Sequence, residues 1–210
     1  MRETFLFGVL VAAYLMVIAK RVPALVRDFR IQSFFLFLMT ASAARAQGPV
    51  DLYLVAFLIL LLKVFAIPYF LVLIAKKISV DENLGLFVNA QLSLAAALAL
   101  SYGSWVFARS LGFGPDLRGA AVAVALAVVF IGAFLMISRM KAFTQVVGLL
   151  VMENGIFLFG SVLSGGMPFF VEIAIFFDVL VSALIMGLFV YRINRLFTHI
   201  DVSKLSRLKG

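Results

Sequence analysis

Seven apolar stretches follow one another along the chain, near residues 4–19, 31–46, 52–75, 85–107, 118–137, 142–165 and 167–191. Each is close to the length of about 17–25 residues at which a helix crosses the hydrocarbon core of a bilayer. Hydrophobic residues fill 65% of the 210 positions, charged residues only 13%, and the mean hydropathy is +1.17. A soluble domain needs more polar surface than this, so the expected fold is all-α: a polytopic integral membrane protein of about seven helices.

The charges set an expected direction. Lys20, Arg21, Arg27 and Arg30 follow the first stretch, Lys76 and Lys77 the third, Arg139 and Lys141 the fifth, and Arg192, Arg195, Lys204, Arg207 and Lys209 the seventh. The intervening connections hold chiefly Arg45, Arg109 and Arg118. By the positive-inside rule the N-terminus faces outward and the C-terminus lies in the cytoplasm. The net charge of +8 is spread between apolar runs instead of gathered on one face, which argues against nucleic acid and for membrane topology. Ala44-Arg45-Ala46 imitates a signal-peptide cleavage site, but a complete apolar stretch lies upstream, so residues 31–46 read as a retained helix. Cysteine is absent and the single histidine, His199, sits in the polar tail, so this chain has no ligand set for haem, iron–sulfur or zinc. No cofactor is expected in it, and any redox chemistry belongs to partners.

Within Val147–Phe159, VGLLVMENGIFLF, stand Glu153 and Asn154. Glu153, Asp178 and Lys63 each lie about eleven residues from an end of their stretches, roughly 16 Å deep. That depth is the bilayer midplane, where an ionised side chain costs about 2.5–3.5 kcal/mol on insertion scales and must face protein or water. A buried ion pair is weakly stabilising compared with apolar packing, so an ion pathway explains three such groups better than a helix lock does. Pro68 is expected to break the third helix and free the carbonyl of Val64, next to Lys63, for water. Glu172 precedes Asp178 by about one and a half turns, on another face, and reads either as an outer access point or as an ordinary solvated residue. Gly148, Gly155 and Gly160 permit close helix approach, and Asn89, Gln91 and Ser93 read as interhelical hydrogen-bonding groups.

The segments Gly148-Leu-Leu-Val-Met-Glu-Asn154 and Phe177-Asp-Val-Leu-Val-Ser-Ala-Leu-Ile-Met-Gly187 resemble the three-helix, two-carboxylate K-type subunit of respiratory complex I over residues 118–192. The whole chain, with its extra N-terminal helices and its tail Arg192-Ile-Asn-Arg-Leu-Phe197, is similar to the hydrogenase-4 component E family. The likeness divides the chain into N-terminal membrane helices (1–117), a K-type unit (118–192) and a cytoplasmic tail (193–210). In the complex I pattern the first carboxylate would fall at Leu150; here the acid is Glu153, about one turn on and on roughly the same face. Asp178 takes the place of the second, shorter than Glu by one methylene.

The resemblance implies a multi-pass subunit of the cytoplasmic (inner) membrane in a group 4 energy-converting [NiFe]-hydrogenase or formate hydrogenlyase-type complex. Its expected partners are antiporter-like and K-type membrane subunits, together with hydrogenase and iron–sulfur subunits that carry the metals. Glu153, Asp178, Lys63 and Glu172 would be stations for protons or sodium ions. Two alternatives stay open: a C-type subunit of a multisubunit sodium/proton antiporter, which usually lacks the four N-terminal helices, and a membrane scaffold without an ion pathway. A chain with midplane charges and no redox ligands is expected to leave the membrane in mild detergent together with other subunits. Recovery as a stable, active particle by itself, seen by native electrophoresis and subunit identification, contradicts that expectation.

Overall fold

A computed structural model describes residues 2–47, 50–77, 89–139 and 141–163. These residues form helices α1 (Arg2–Ile18), α2 (Val22–Gln47), α3 (Val50–Leu58), a π-helical segment π1 (Ile59–Ala66), α4 (Ile67–Lys77), α5 (Ala90–Ser110), α6 (Leu117–Ser138) and α7 (Ala142–Leu163). The fold is all-α. Four helical runs are long and apolar enough to cross a membrane: Leu52–Lys76, Ala90–Ser110, Leu117–Ser138 and Phe143–Leu163. At 17 residues α1 is marginally short, and α2 carries Arg27, Asp28 and Arg30 in its first third. The seventh expected stretch, with Glu172, Asp178 and the tail, lies outside the described residues.

Local chemistry explains the helix ends. Pro23 occupies the first turn of α2, where a missing N–H costs no intrahelical bond, so the helix starts well before residue 31 and takes in Arg27 and Arg30. It then runs unbroken through Ala44-Arg45-Ala46. The hydroxyls of its polar end stay within the helix, Thr40 donating to the Leu36 carbonyl (2.9 Å) and Ser42 to that of Met39 (2.7 Å). Gly112 closes α5 at φ 87°, a left-handed conformation that glycine adopts without a Cβ clash. The Gly112 N–H then reaches the Arg109 carbonyl (3.0 Å) and the Phe113 N–H that of Ala108 (3.2 Å), a Schellman cap. Asp116 opens α6 by accepting from the Gly119 N–H at 3.1 Å.

Pro68 alters the third run in a way the sequence did not specify. Upstream of it the helix widens over Ile59–Ala66, and the Ile67 N–H bonds to the Leu62 carbonyl, five residues back. Pro68 has no N–H, and its ring crowds the preceding turn; looser winding accommodates both effects. The Val64 carbonyl, expected to face water, instead accepts from Nε of Arg30 on α2 at 2.8 Å. The Arg30 guanidinium also lies 5.5 Å from the centre of the Phe65 ring.

Packing follows membrane rules, with small residues allowing backbones to approach. Helices α6 and α7 pair along Gly132, Gly148 and Gly155: a Cβ on Gly132 would sit 2.5 Å from the Met152 nitrogen, and one on Gly155 2.7 Å from that of Val129. Helix α1 lies against α2, α5 and α6, while α2 also meets α3, π1, α4 and α7. Tyr53, Leu54, Phe57, Leu61, Phe65 and Tyr69 are exposed on the third run, whereas Val55, Ile59, Lys63 and Val64 are buried. The apolar side chains therefore face outward as well as inward, as in a helix that meets lipid.

One contact fixes how α1 ends. Arg139, 2% exposed, donates to the carbonyls of Ala19 (3.1 Å), Met16 (3.3 Å) and Val17 (2.7 Å). These carbonyls lie at and just past the end of α1, where backbone donors run out (Met16 O also accepts from the Ala19 N–H at 3.3 Å), and a cation suits the negative end of the helix dipole. Burial pushes the guanidinium below its ordinary pKa. At the other end of α1, Arg2 Nη2 donates to the Ser42 carbonyl on α2 at 2.9 Å.

Gly132→Ala is expected to destabilise the protein by about 1–3 kcal/mol, because the added methyl meets backbone that cannot yield without separating α6 from α7. Denaturant or thermal unfolding of the purified protein in detergent measures this; an unchanged midpoint contradicts the close approach.

A buried ion pair held by a chain of amides

Lys63 and Glu153 come together inside the bundle. Lys63 projects from the widened segment π1 and is fully buried; Glu153, near the middle of α7, is 3% exposed. Their charged groups are 3.2 Å apart, Nζ to Oε1. Nζ also donates to Oδ1 of Asn154 at 3.1 Å and lies 5.8 Å from the centre of the Phe157 ring. A carboxylate, an amide oxygen and an aromatic face, all from α7, thus converge on one ammonium group.

The amide orientations support one another. Asn154 Nδ2 donates to Oε1 of Gln32 (3.1 Å) and to Oγ of Ser33 (3.3 Å), both on α2. Gln32 Nε2 in turn donates to the Val9 carbonyl on α1 at 3.3 Å. A backbone carbonyl only accepts, so the chain runs in one sense: Val9 O from Gln32, Gln32 from Asn154, Asn154 from Lys63. Lys63, Asn154, Gln32 and Ser33 are all buried, and the network spans α1, α2, π1 and α7.

The sequence singled out Lys63 and Glu153 as buried charges but neither their pairing with each other nor these supports. Asn154 stood out in the apolar run without an assigned task. Gln32 and Ser33 had no assigned task, because they stand near the head of an apolar stretch, where polar residues are ordinary. Their signal was two adjacent polar residues beyond Arg30, before seven mostly apolar positions. Of the three polar residues on α5 and before it, Ser93 is buried, whereas Asn89 and Gln91 are exposed. Asp178 and Glu172 lie outside the described residues. Pro68 stands one turn beyond Lys63, at the change from π to α winding.

The arrangement can exchange a proton at Glu153 beside a fixed cation. It can also hold four helical segments in one register. In low-dielectric surroundings the attraction within such a pair is strong, but the cost of removing both ions from water is of similar size.

Comparison with known proteins adds one relative: the chain is 26% identical to the uncharacterized protein Rv0085 of Mycobacterium tuberculosis over 204 residues, covering 96% of this chain and 93% of that protein. No family model and no solved structure matches the chain.

Removing one member of the pair is expected to destabilise the protein by about 3–5 kcal/mol unless the remaining ion is neutralised. Lys63→Met with Glu153→Gln should therefore cost less than the two single changes added together, by about 0.5–3 kcal/mol. A double-mutant cycle from unfolding in detergent measures the coupling. Strict additivity excludes the contact.

Proposed function

We propose that this chain is a membrane-arm subunit of an energy-converting [NiFe]-hydrogenase or formate hydrogenlyase-like complex in the cytoplasmic membrane. In that role the Lys63–Glu153 pair is a station in ion translocation driven by redox chemistry in partner subunits. The similarity of the Glu153 and Asp178 segments to the K-type unit, and of the whole chain to the hydrogenase-4 component E family, supplies the complex. The observation that carries the role in transport is a titratable ion pair buried at mid-helix, with its lysine on a widened turn. Intramembrane ionisable residues paired in a bundle interior usually mark ion pathways, and π-helical segments recur at functional sites.

On this reading the N-terminus is outside and seven helices cross the membrane. Arg139 beside the end of α1 supports the alternation, since the C-terminal ends of α1 and α6 lie together. Asp178 would stand on the following helix as the second acid of the same polar axis, with Glu172 nearer the outer surface. The redox centres reside in partners.

A scaffold reading has its own support in the amide chain from Lys63 to Val9, which ties helices without requiring titration. Transport measurements separate the two. Glu153→Gln and Asp178→Asn nearly preserve shape while abolishing titration. In the intact complex both are expected to leave assembly and electron transfer to artificial carriers in place. Coupled ion uptake into proteoliposomes should fall, most of all in the double variant. Parental uptake by an assembled double variant excludes the transport role.

A further inference from the structure

We infer that the cleft between α1, α5 and α6 is a binding site for an anionic phospholipid, with one acyl chain lying along the cleft and the phosphate meeting the guanidinium of Arg109 at its mouth. The inference is independent of the transport reading and uses none of the residues around Lys63. The cleft encloses about 290 Å³. It runs on α5 from Ser101 to Arg109 and on α6 from Ala127 back to Gly119, roughly 12 Å along each helix at about 1.5 Å per residue. Both helices are long and apolar enough to cross a membrane, so a chain lying in the cleft runs parallel to the neighbouring lipid tails.

The walls suit hydrocarbon. Ala108, Ala120, Ala123 and Ala127 leave open the space that larger side chains would fill, and Leu10 of α1 and Val124 add apolar contact. Ser101 is the polar residue at the inner end, and its hydroxyl is committed: it donates to the Ala97 carbonyl at 2.8 Å and accepts from the Tyr14 hydroxyl at 2.7 Å. A polar ligand therefore gains little there. A protein helix does not fit, because with side chains it is about 10–12 Å across and would need roughly 1,000 Å³ over the same length.

The mouth has the opposite character. Trp105, Arg109, Pro115 and Ala120 are exposed there, near the turn between α5 and α6. The Arg109 guanidinium lies 5.3 Å from the centre of the Trp105 ring, and no carboxylate pairs with it among the described residues. Asp116 is engaged in capping α6 and does not line the cleft. Arg118, exposed on the first turn of α6, adds a second positive charge at this end. A guanidinium offers paired N–H groups to a phosphate, and tryptophan rings favour the level of the headgroups. A cation at the end of a narrow apolar cleft thus complements a lipid that carries its negative charge at the end of a hydrocarbon chain.

Trp105 is the only tryptophan in the chain, so its emission reports on the mouth. The full-length chain is reconstituted in phosphatidylcholine vesicles containing increasing fractions of phosphatidylglycerol with brominated acyl chains or, in parallel, of brominated phosphatidylcholine, since bromine quenches tryptophan on contact. Brominated phosphatidylglycerol is expected to reach half-quenching at an about fivefold lower fraction, which is what about one cationic residue near an anionic surface contributes. R109Q should abolish the difference, and A120L, which fills the cleft from an exposed position, should weaken it. Both lipids are compared within one protein, so any change in Trp105 emission caused by a substitution itself cancels. Equal quenching by the two lipids in the parental chain overturns the inference without recourse to a variant. A preference that survives in R109Q overturns it too, and one unchanged in A120L reduces it to surface charge without a seated chain. Failure of either lipid to quench Trp105 in the parental chain shows that protein covers the cleft, and the lipid site is then excluded.

Discussion

An ammonium and a carboxylate placed at the middle of apolar helices have to be enclosed by protein, and most features of the described bundle serve that enclosure. Lys63 and Glu153 face each other across π1 and α7, and neither can meet lipid without a cost of several kcal/mol. Helix α2 supplies the wall behind Asn154 with Gln32 and Ser33 and steadies the loosened turn through Arg30. Helix α1 ends the network at Val9 O. The glycine seam between α6 and α7 sets how near α7 stands to the rest. Apolar packing alone discriminates poorly among helix registers in lipid, whose tails are as apolar as leucine. A directional amide chain does discriminate, because sliding α2 by one residue removes Gln32 from Asn154.

The widening of π1 follows from the chemistry of Pro68. An α-helical turn upstream of proline must leave a carbonyl without its usual donor. Here the winding loosens over eight residues, and a guanidinium from another helix takes the Val64 carbonyl. The loosened turn changes the angular position of Lys63 relative to residues outside π1, so the lysine's aim depends on Pro68 as well as on its own rotamer. Sequence position, depth and direction of the side chain are in this way linked through one missing N–H.

The sequence made legible what depends on composition and spacing. Apolar length located α3 to α7, and depth counting placed Lys63 and Glu153 level with each other. Gly148 and Gly155 were recognisable as close-approach positions because small residues at helix interfaces have a simple steric meaning. What escaped was orientation. A run such as Ile31 to Leu36 does not disclose which face of α2 meets α7, so Gln32 and Ser33 looked incidental. Arg27 and Arg30 read as connection residues because charge normally ends a span, whereas Pro23 starts α2 ahead of them. The donor to Val64 O was equally hidden, since no local rule pairs residues 34 positions apart.

Arg139 gives the chain a schedule as well as a contact. The last carbonyls of α1 are satisfied by a side chain about 120 residues further along. As the chain is made, α1 can wind early, but the carbonyls at its end cannot meet Arg139 until α6 and the turn after it have been made. The first helix made is therefore among the last to be finished, its end closed by a residue that follows the sixth.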